Sequence, residues 1–438
     1  MPVKSLPLSS IARHVVLPAV ALLLTVAVFF AIRWYLGNAI SARVEQSERV
    51  PPRELAQLAA RWAPADPQTH YAMAVLDEKS FRLEDVPRAL SEFERATALS
   101  PNDYRLWLAL GQARDRAGEA DGAIAALREA LRLAPHYAPV QWALSNVLLR
   151  RGAEEEAFAL VRRAVESDPK FTEPALSVVW QLSGGDLSRV TQAVGDSAQV
   201  KSALSVFLAK QKLYEQAFAS WNALAEADKK ENFRANTDEL LKQLLNGKKY
   251  RAALTVQTQI AAGGAANQAA AGAAAAVAAE KITNPGFEAV VNTTGAGVFE
   301  WQIAEGLQPV VAFDETQKRG GARSLVIAFN SGDGKDFRGV QQTVVVAPDQ
   351  KYKFEVFFRS DLNTSATVKW EILNAGDGNL LAATQAAPSD SADWAALKTE
   401  FTTPADVEAV TIRLARAPCG SIICPIAGKI WFDDFSLQ

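Results

Sequence analysis

The chain offers few of the usual parts for covalent or metal chemistry. Its sulfhydryls are confined to Cys419 and Cys424, and its imidazoles to His14, His70 and His136. A zinc site at the cysteines would need two more ligands, and no histidine follows His136. A cysteine nucleophile would need a neighbouring imidazole base, which is missing for the same reason. The two cysteines instead bracket the short run Cys–Gly–Ser–Ile–Ile–Cys between two strand-like stretches. A disulfide stapling that hairpin, in an oxidising compartment, is the expectation. The run Ser331–Gly332–Asp333–Gly334–Lys335 lacks phosphate-loop spacing and reads as a turn, and no G-x-S-x-G elbow is present. Paired carboxylates for glycoside cleavage stay open, since 49 Asp and Glu are available. The expectation is a protein that is not an enzyme and works by binding.

The elements that would position such surfaces follow from spacing. Pro67, Pro101, Pro135 and Pro169 stand 34 residues apart. That period is one helix–turn–helix unit, with the proline closing each second helix. At 438 residues the chain is too long for one core, so two or three domains are expected. A net charge of −3 gives no basic excess for nucleic acid. Near the start, Val15–Leu36 is an almost unbroken apolar run long enough to span a bilayer, with Trp34 and Tyr35 at its end. An uncleaved anchor is favoured over a signal peptide, although Ala39–Ile40–Ser41–Ala42 keeps cleavage open. Charge counting alone leans towards the wrong side for export, and the bulk is expected outside the cytoplasm on account of the C-terminal domain. Lys4 and Arg13 precede the span, while Arg33, Arg43, Arg49 and Arg53 lie at or after it.

Before Pro135 stand Trp107, Leu110, Gly111, Ala123, Leu127 and Ala130; before Pro169, at the same phase, Leu144, Ala157, Val161 and Ala164; before Pro101, Ala89, Phe93 and Ala96. Small residues where helices cross and large ones between them resemble tetratricopeptide repeats over about 53–170. The first full repeat departs from the pattern, with Asp77 at the small-residue position and an irregular loop around Lys79–Val86. The resemblance implies a protein partner in a groove lined by first helices, with Tyr71, Tyr104, Arg105, Gln141 and Asn146 as candidates. Packing against the next repeat is an equal reading for each.

From Phe171 to Ile260 the helical rhythm continues without the proline, through Ala217, Trp221, Leu224, Gly247, Tyr250 and Ala253, and the Ser183–Asp186 turn interrupts it. Residues 261–280 are alanine-rich and read as a linker, part helix and part coil. Strand-like stretches then follow at Ser324–Phe329, Gln341–Val346, Tyr352–Arg359, Ala366–Leu373, Ala409–Ala415 and Lys429–Leu437, separated by turn residues. Val368, Trp370 and Ile372 alternate with Thr367, Lys369 and Glu371, as in a half-buried antiparallel strand.

This region opens with Asn284–Pro285–Gly286–Phe287–Glu288 and closes with Ile430–Trp431–Phe432–Asp433–Asp434–Phe435–Ser436–Leu437. Between them lie Gly321–Leu325, Tyr352–Val356 with Arg359, and Trp394. These resemble the carbohydrate-binding-module jelly rolls of the galactose-binding-like group, over about 282–438. The resemblance implies paired first and last strands and a structural calcium held by Glu288 with Asp433 or Asp434, Asp433 being the one aimed inward. Capping in solvent is the competing reading for the two aspartates. It also implies sugar stacking on aromatic faces. Trp301, Trp370, Trp394 and Trp431 are available, and a packed core role is favoured over a ligand platform for Trp301, Trp370 and Trp394.

The sequence therefore predicts a multidomain chain, α then β. A tail (1–14) and a transmembrane helix (15–36) lead to an α-solenoid of tetratricopeptide-like pairs (37–170), degenerate helical repeats (171–260), a linker (261–280) and an antiparallel β-sandwich, a jelly roll (281–438). The expected role is a non-catalytic envelope protein of a bacterial inner membrane, with its bulk in the periplasm. It would bind a protein through the repeats and a polysaccharide through the sandwich, in exopolysaccharide assembly or export. A protein-only assembly scaffold is the alternative.

Overall fold

The structure, a computed structural model, describes residues 10–44, 51–261, 277–292, 295–332, 337–420 and 423–438. The tail up to residue 9, most of the alanine-rich stretch (262–276) and Asp333–Lys335 of the glycine-rich turn lie outside the described residues. The chain divides into two compact units, Met1–Asp196 and Ser197–Gln438.

In the first unit an apolar helix, α1 (Ser10–Ser41), precedes nine shorter ones. These are α2 (Pro52–Trp62), α3 (Pro67–Glu78), α4 (Val86–Leu99), α5 (Tyr104–Arg116), α6 (Ala120–Leu133), α7 (Ala138–Arg150), α8 (Glu154–Ser167), α9 (Thr172–Leu182) and α10 (Leu187–Val194). Second helices bury the small–large–small sets Ala89–Phe93–Ala96, Ala123–Leu127–Ala130 and Ala157–Val161–Ala164, each residue at most 4% exposed. Small residues let the paired helices approach, and the large one fills the space between. Asp66, Asp103 and Asp186 cap the starts of α3, α5 and α10 by accepting backbone N–H bonds from the first turn.

The proline rhythm is corrected by one position. Pro101, Pro135 and Pro169 each follow a second helix by two residues, and Pro64 does the same after α2, whereas Pro67 opens α3. A proline is favoured at such a first position because its missing N–H has no helical partner there. The same phase appears in side-chain bonds six residues on. Trp107 donates to the Pro101 carbonyl at 2.8 Å and Gln141 to that of Pro135 at 2.7 Å, and His70 lies 2.9 Å from that of Pro64. Three residues added at the Lys79–Val86 loop account for the 37-residue step from Pro64 to Pro101. In the true phase Ala74, fully buried, takes the small-residue place, and Asp77 lies one turn further on. Asp77 is held by Arg53 at 3.1 Å and Arg88 at 2.8 Å.

The second unit begins with α11 (Ala198–Lys210), α12 (Tyr214–Asn222), α13 (Arg234–Asn246) and α14 (Tyr250–Ala261). Apart from the irregular loop between α3 and α4, the turn inside each helix pair from α5 to α14 is the same in both units. An amide donates to the carbonyl five residues earlier at Glu119, Ala153, Gly185, Leu213 and Lys249. The residue before each has positive φ: Gly118, Gly152, Gly184, Lys212 and Lys248. The Ser183–Asp186 segment is thus a regular intra-pair turn and does not interrupt the series.

Ten strands form the sandwich. One sheet has the order β1 (Gln302–Ile303), β4 (Val340–Val345), β9 (Ala409–Arg416), β6 (Val368–Asn374), β7 (Leu380–Ala383). The other has β2 (Val310–Asp314), β3 (Ser324–Ser331), β10 (Ile426–Leu437), β5 (Lys351–Asn363), β8 (Asp390–Thr402). All recorded pairings are antiparallel. Aromatic rings fill the interior: Phe435 lies 4.8 Å from Trp301 and 4.9 Å from Trp370, centroid to centroid. One end of the sandwich is held to α14. The Tyr250 hydroxyl donates to the Ala375 carbonyl at 2.8 Å, the Arg251 amide to Glu408 at 3.0 Å and its guanidinium to the Val346 carbonyl at 2.9 Å.

Candidate functional site

Strand alternation decides which face each side chain takes. In β6, Val368, Trp370 and Ile372 point inward and are fully buried, leaving Lys369 and Glu371 on the outer face. Register then carries one row across four strands: Gln302 opposite Gln341, Gln341 opposite Arg413, Arg413 opposite Glu371. Side chains link the row at each of its two ends. Gln341 donates to Gln302 at 3.2 Å, Arg413 to Glu371 at 2.7 Å, and Lys369 lies 3.1 Å from Glu371. Burial opposes ionisation of Glu371, but the bonds from Arg413 and Lys369 prevail and hold it below the usual carboxylate range. Beside this row Thr343 faces Thr411, hydroxyl to hydroxyl at 3.3 Å. Two amides, a guanidinium and a carboxylate in register are planar groups that donate and accept in pairs, the chemistry a hydroxyl-rich ligand needs.

The tryptophans proposed as ligand platforms are mostly elsewhere. Trp301 and Trp370 are 2% and 0% exposed, packed among core rings, so neither can stack on a ligand. Trp370 falls on the inward parity of β6, and Trp301 immediately precedes β1. Trp394 is half-buried on the edge strand β8, where the pairing with β5 shifts register. Trp431 is half-buried on the outer face of the second sheet, opposite Val326 and Arg359, with its indole N–H bonded to Asp314 at 2.9 Å. Polar neighbours there are closed on one another: Arg359 donates to Gln317 at 2.5 Å, and the Arg319 guanidinium covers the Phe357 ring at 3.5 Å.

The corner expected to hold calcium is occupied by protein donors. Asp433 is fully buried, as predicted for the inward aspartate, at an irregularity in the β10–β5 ladder. It accepts backbone N–H bonds from Arg319, Gly320 and Asp434 at 2.8, 3.1 and 2.8 Å. Burial nevertheless pushes its carboxyl above the usual range, and the neighbouring Asp434 charge adds to that. Glu288 accepts from the Ala322 amide at 2.8 Å, and Asp434 is paired with the Arg319 guanidinium. Among the described residues no group of three or more His, Cys, Asp and Glu is placed to hold a metal ion. As they stand, Glu288, Asp433 and Asp434 are answered by amides and a cation of the chain itself. Cys419 and Cys424 are joined by a disulfide, with Cα atoms 6.3 Å apart.

In the solenoid the five groove candidates do not form one site. Gln141 is 1% exposed and spent on the Pro135 carbonyl, so it is not available to a partner. Tyr71 packs on Phe93 at 5.9 Å and Tyr104 on Tyr137 of the next repeat at 5.2 Å. Arg105 is exposed but folded back on its own helix cap, Asp103, at 2.7 Å, and Asn146 is half-buried. A cleft of about 310 Å³ opens instead at the irregular loop, lined by Phe81, Leu83, Val86, Leu90, Arg116 and Ala117 among others. Phe81 and Leu83 are 93% and 90% exposed. The irregularity of the loop was visible in the sequence; the cleft it builds was not.

Residues 81–138 and 116–177 match family models described as tetratricopeptide repeat, and residues 279–419 match one described as carbohydrate binding domain. The chain couples tetratricopeptide repeats to a carbohydrate binding domain. Similar solved structures each cover part of it. One is described as "CBM4 structure and function", with 19% identity over 36% of this chain and 98% of that chain, TM-score 0.27. A MamA RS-1 double mutant shows 15% identity over 49% of this chain and 96% of that one, TM-score 0.29. The CBM22-1–GH10 modules of xylanase 10B from Clostridium thermocellum, complexed with xylohexaose, show 15% identity over 37% of this chain and 29% of theirs, TM-score 0.25. No curated protein sequence matches the chain. The carbohydrate binding domain contains the whole four-strand row, Gln302 to Glu371, and the tetratricopeptide repeats contain the Phe81–Leu83 cleft.

Proposed function

We propose that this chain is a non-catalytic, membrane-anchored envelope protein that binds a glycan on the β1–β4–β9–β6 face and a protein partner through its repeats. The observation that carries the glycan reading is the row Gln302–Gln341–Arg413–Glu371, planar hydrogen-bonding groups in register within a carbohydrate binding domain. The anchor is α1, whose His14–Ser41 portion is long and apolar enough to cross a membrane. A single apolar N-terminal helix also suits a signal sequence. The uncleaved reading rests on the length of the apolar run, with the following domains in the periplasm of a bacterial cell. Exopolysaccharide assembly or export is the process this combination suits.

The test is glycan-array binding by the full chain, repeated with Gln341→Ala. Binding that falls at least tenfold in the variant supports the reading. One observation favours a second reading, an assembly scaffold that binds no sugar: Trp301 and Trp370 are in the core, leaving the polar row without either ring. No binding across the array, with a protein still co-purifying with the full chain and lost in Phe81→Ser, would select the scaffold.

A further inference from the structure

The end of α1 and the start of the solenoid are one packed piece. Arg33 lies inside the apolar run, yet its guanidinium donates to the last carbonyls of α2, at 2.8 Å to Arg61 and 3.2 Å to Trp62. Four carbonyls at a helix end lack helical partners, and a cation there also meets the negative end of the helix dipole. One turn on, Gly37 faces Ala63 so closely that an added β-carbon would fall 2.4 Å from the Ala63 methyl. Asn38 then donates to Asp66 at 3.1 Å. Helix α2 packs along the end of α1 with its own carboxyl end level with Gly37, and the Arg33 side chain reaches that end from one turn before.

The depth of that level follows from helix rise. Gly37 follows the end of the apolar run, Leu36, by one residue, or about 1.5 Å. If α1 spans the bilayer, the carboxyl end of α2 lies at the boundary between acyl chains and headgroups. What α2 exposes there suits it. Ala56, Ala59 and Ala63 face inward and are buried, while Leu58 and Trp62, one turn apart, are 41% and 39% exposed. Trp34 and Tyr35 of α1 are 56% and 68% exposed at the same level. Indole and phenol rings with an apolar body and a polar edge favour that zone.

We infer that α2 is a membrane-surface helix: Leu58 and Trp62 insert beside Trp34 and Tyr35 into the lipid headgroup–acyl boundary, so that the first repeat is seated on the bilayer. The inference rests on the reading of α1 as a span, and its test separates the two. Single cysteines at Leu58, Trp62, Leu23 and Asp121 of the full chain are labelled with an environment-sensitive fluorophore, the native cysteines being disulfide-bonded. The labelled chains are reconstituted in phosphatidylcholine–phosphatidylglycerol vesicles carrying nitroxide lipids. Asp121 is the solvent control, its side chain 85% exposed. Blue-shifted emission at 58 and 62, with quenching by headgroup nitroxide at least twice that at 121, is the expected result. Quenching at 23 by acyl-chain nitroxide while 58 and 62 behave like 121 would overturn the inference and leave the span intact. No quenching at 23 would overturn both. Circular dichroism matching the unlabelled chain confirms that the labels, placed on an exposed face, leave the fold unchanged.

Discussion

Arg413 on β9 and Glu371 on β6 meet across the ladder at 2.7 Å, with the guanidinium nearly half exposed and the carboxylate 13% exposed. An ion pair in that position contributes little to folding, about 0–1 kcal/mol, because water competes for the arginine. It does hold the guanidinium on the sheet face that carries the neighbouring glutamines. Arg413→Ala is therefore expected to reduce glycan affinity at least tenfold while moving the urea midpoint hardly at all. Arg413→Lys keeps the charge but loses the planar fork, and should recover only part of the binding. Equal loss of binding and stability in both variants would show a structural role alone.

The intra-pair turns give a stability prediction free of side-chain contacts. A β-carbon added at Gly152 would meet nothing within 4 Å, so Gly152→Ala tests only the positive φ of +76°. That substitution should cost about 1 kcal/mol. Lys248 holds the same place with φ +61° despite its side chain. Lys248→Gly should be neutral or stabilising by up to roughly 1 kcal/mol. Thermal denaturation of both variants checks this; a destabilising Lys248→Gly would mean its side chain contributes more than the backbone strain.

Protein donors at the Glu288–Asp433–Asp434 corner should make the sandwich indifferent to calcium. Adding EDTA or millimolar calcium is expected to leave the melting temperature unchanged. Removing the cation supplied by the chain, in Arg319→Ala, should lower it by about 2–4 °C. A rise of several degrees on adding calcium to the unaltered protein would show that these carboxylates exchange their present partners for the metal.

Asp314 provides a pH signature. The Thr316 hydroxyl, the Trp431 indole and the amides of Thr316 and Gln317 hold its carboxyl far below the usual range, against a smaller effect of burial. A group with a depressed folded pKa stabilises above its unfolded value and loses that contribution as pH falls towards the folded one. Asp314→Asn should thus be destabilising at pH 7, with the deficit shrinking below about pH 4, where an unfolded aspartate protonates. Urea titrations at stepped pH measure it. A deficit that did not change with pH would mean the bonds matter through shape alone.

Some of this was legible in the residues and some was not. The six strands expected from alternation are present because one face of each is buried. The strands β1, β2 and β7 were not expected, and β8 was expected only at its end, around Phe401. β1 and β7 are short, and β8, Asp390–Thr402, is an edge strand whose Ala- and Lys-containing sequence follows no strict apolar alternation. The inward parity of Trp370 could be read from Val368 and Ile372, and the core role favoured for its ring is the one it has. The repeat period was clear, but the phase of its first unit was not, since Pro64 and Pro67 are both plausible helix punctuation. The side chain of His70, reaching the Pro64 carbonyl, separates them only in three dimensions. The four-strand polar row needed register, which depends on long-range pairing that local pattern does not encode.

The bonds from Tyr250 and Arg251 reach the loops at the ends of β4 and β6 and before β9, three strands of the sheet that carries the polar row. Tension on a polymer held by that row would run along the strands and into α14 directly. The alanine-rich connection would then carry little of it. If a glycan is held there as proposed, a tug on it would reach the helices through these three polar contacts, which would give the molecule a defined point at which to yield.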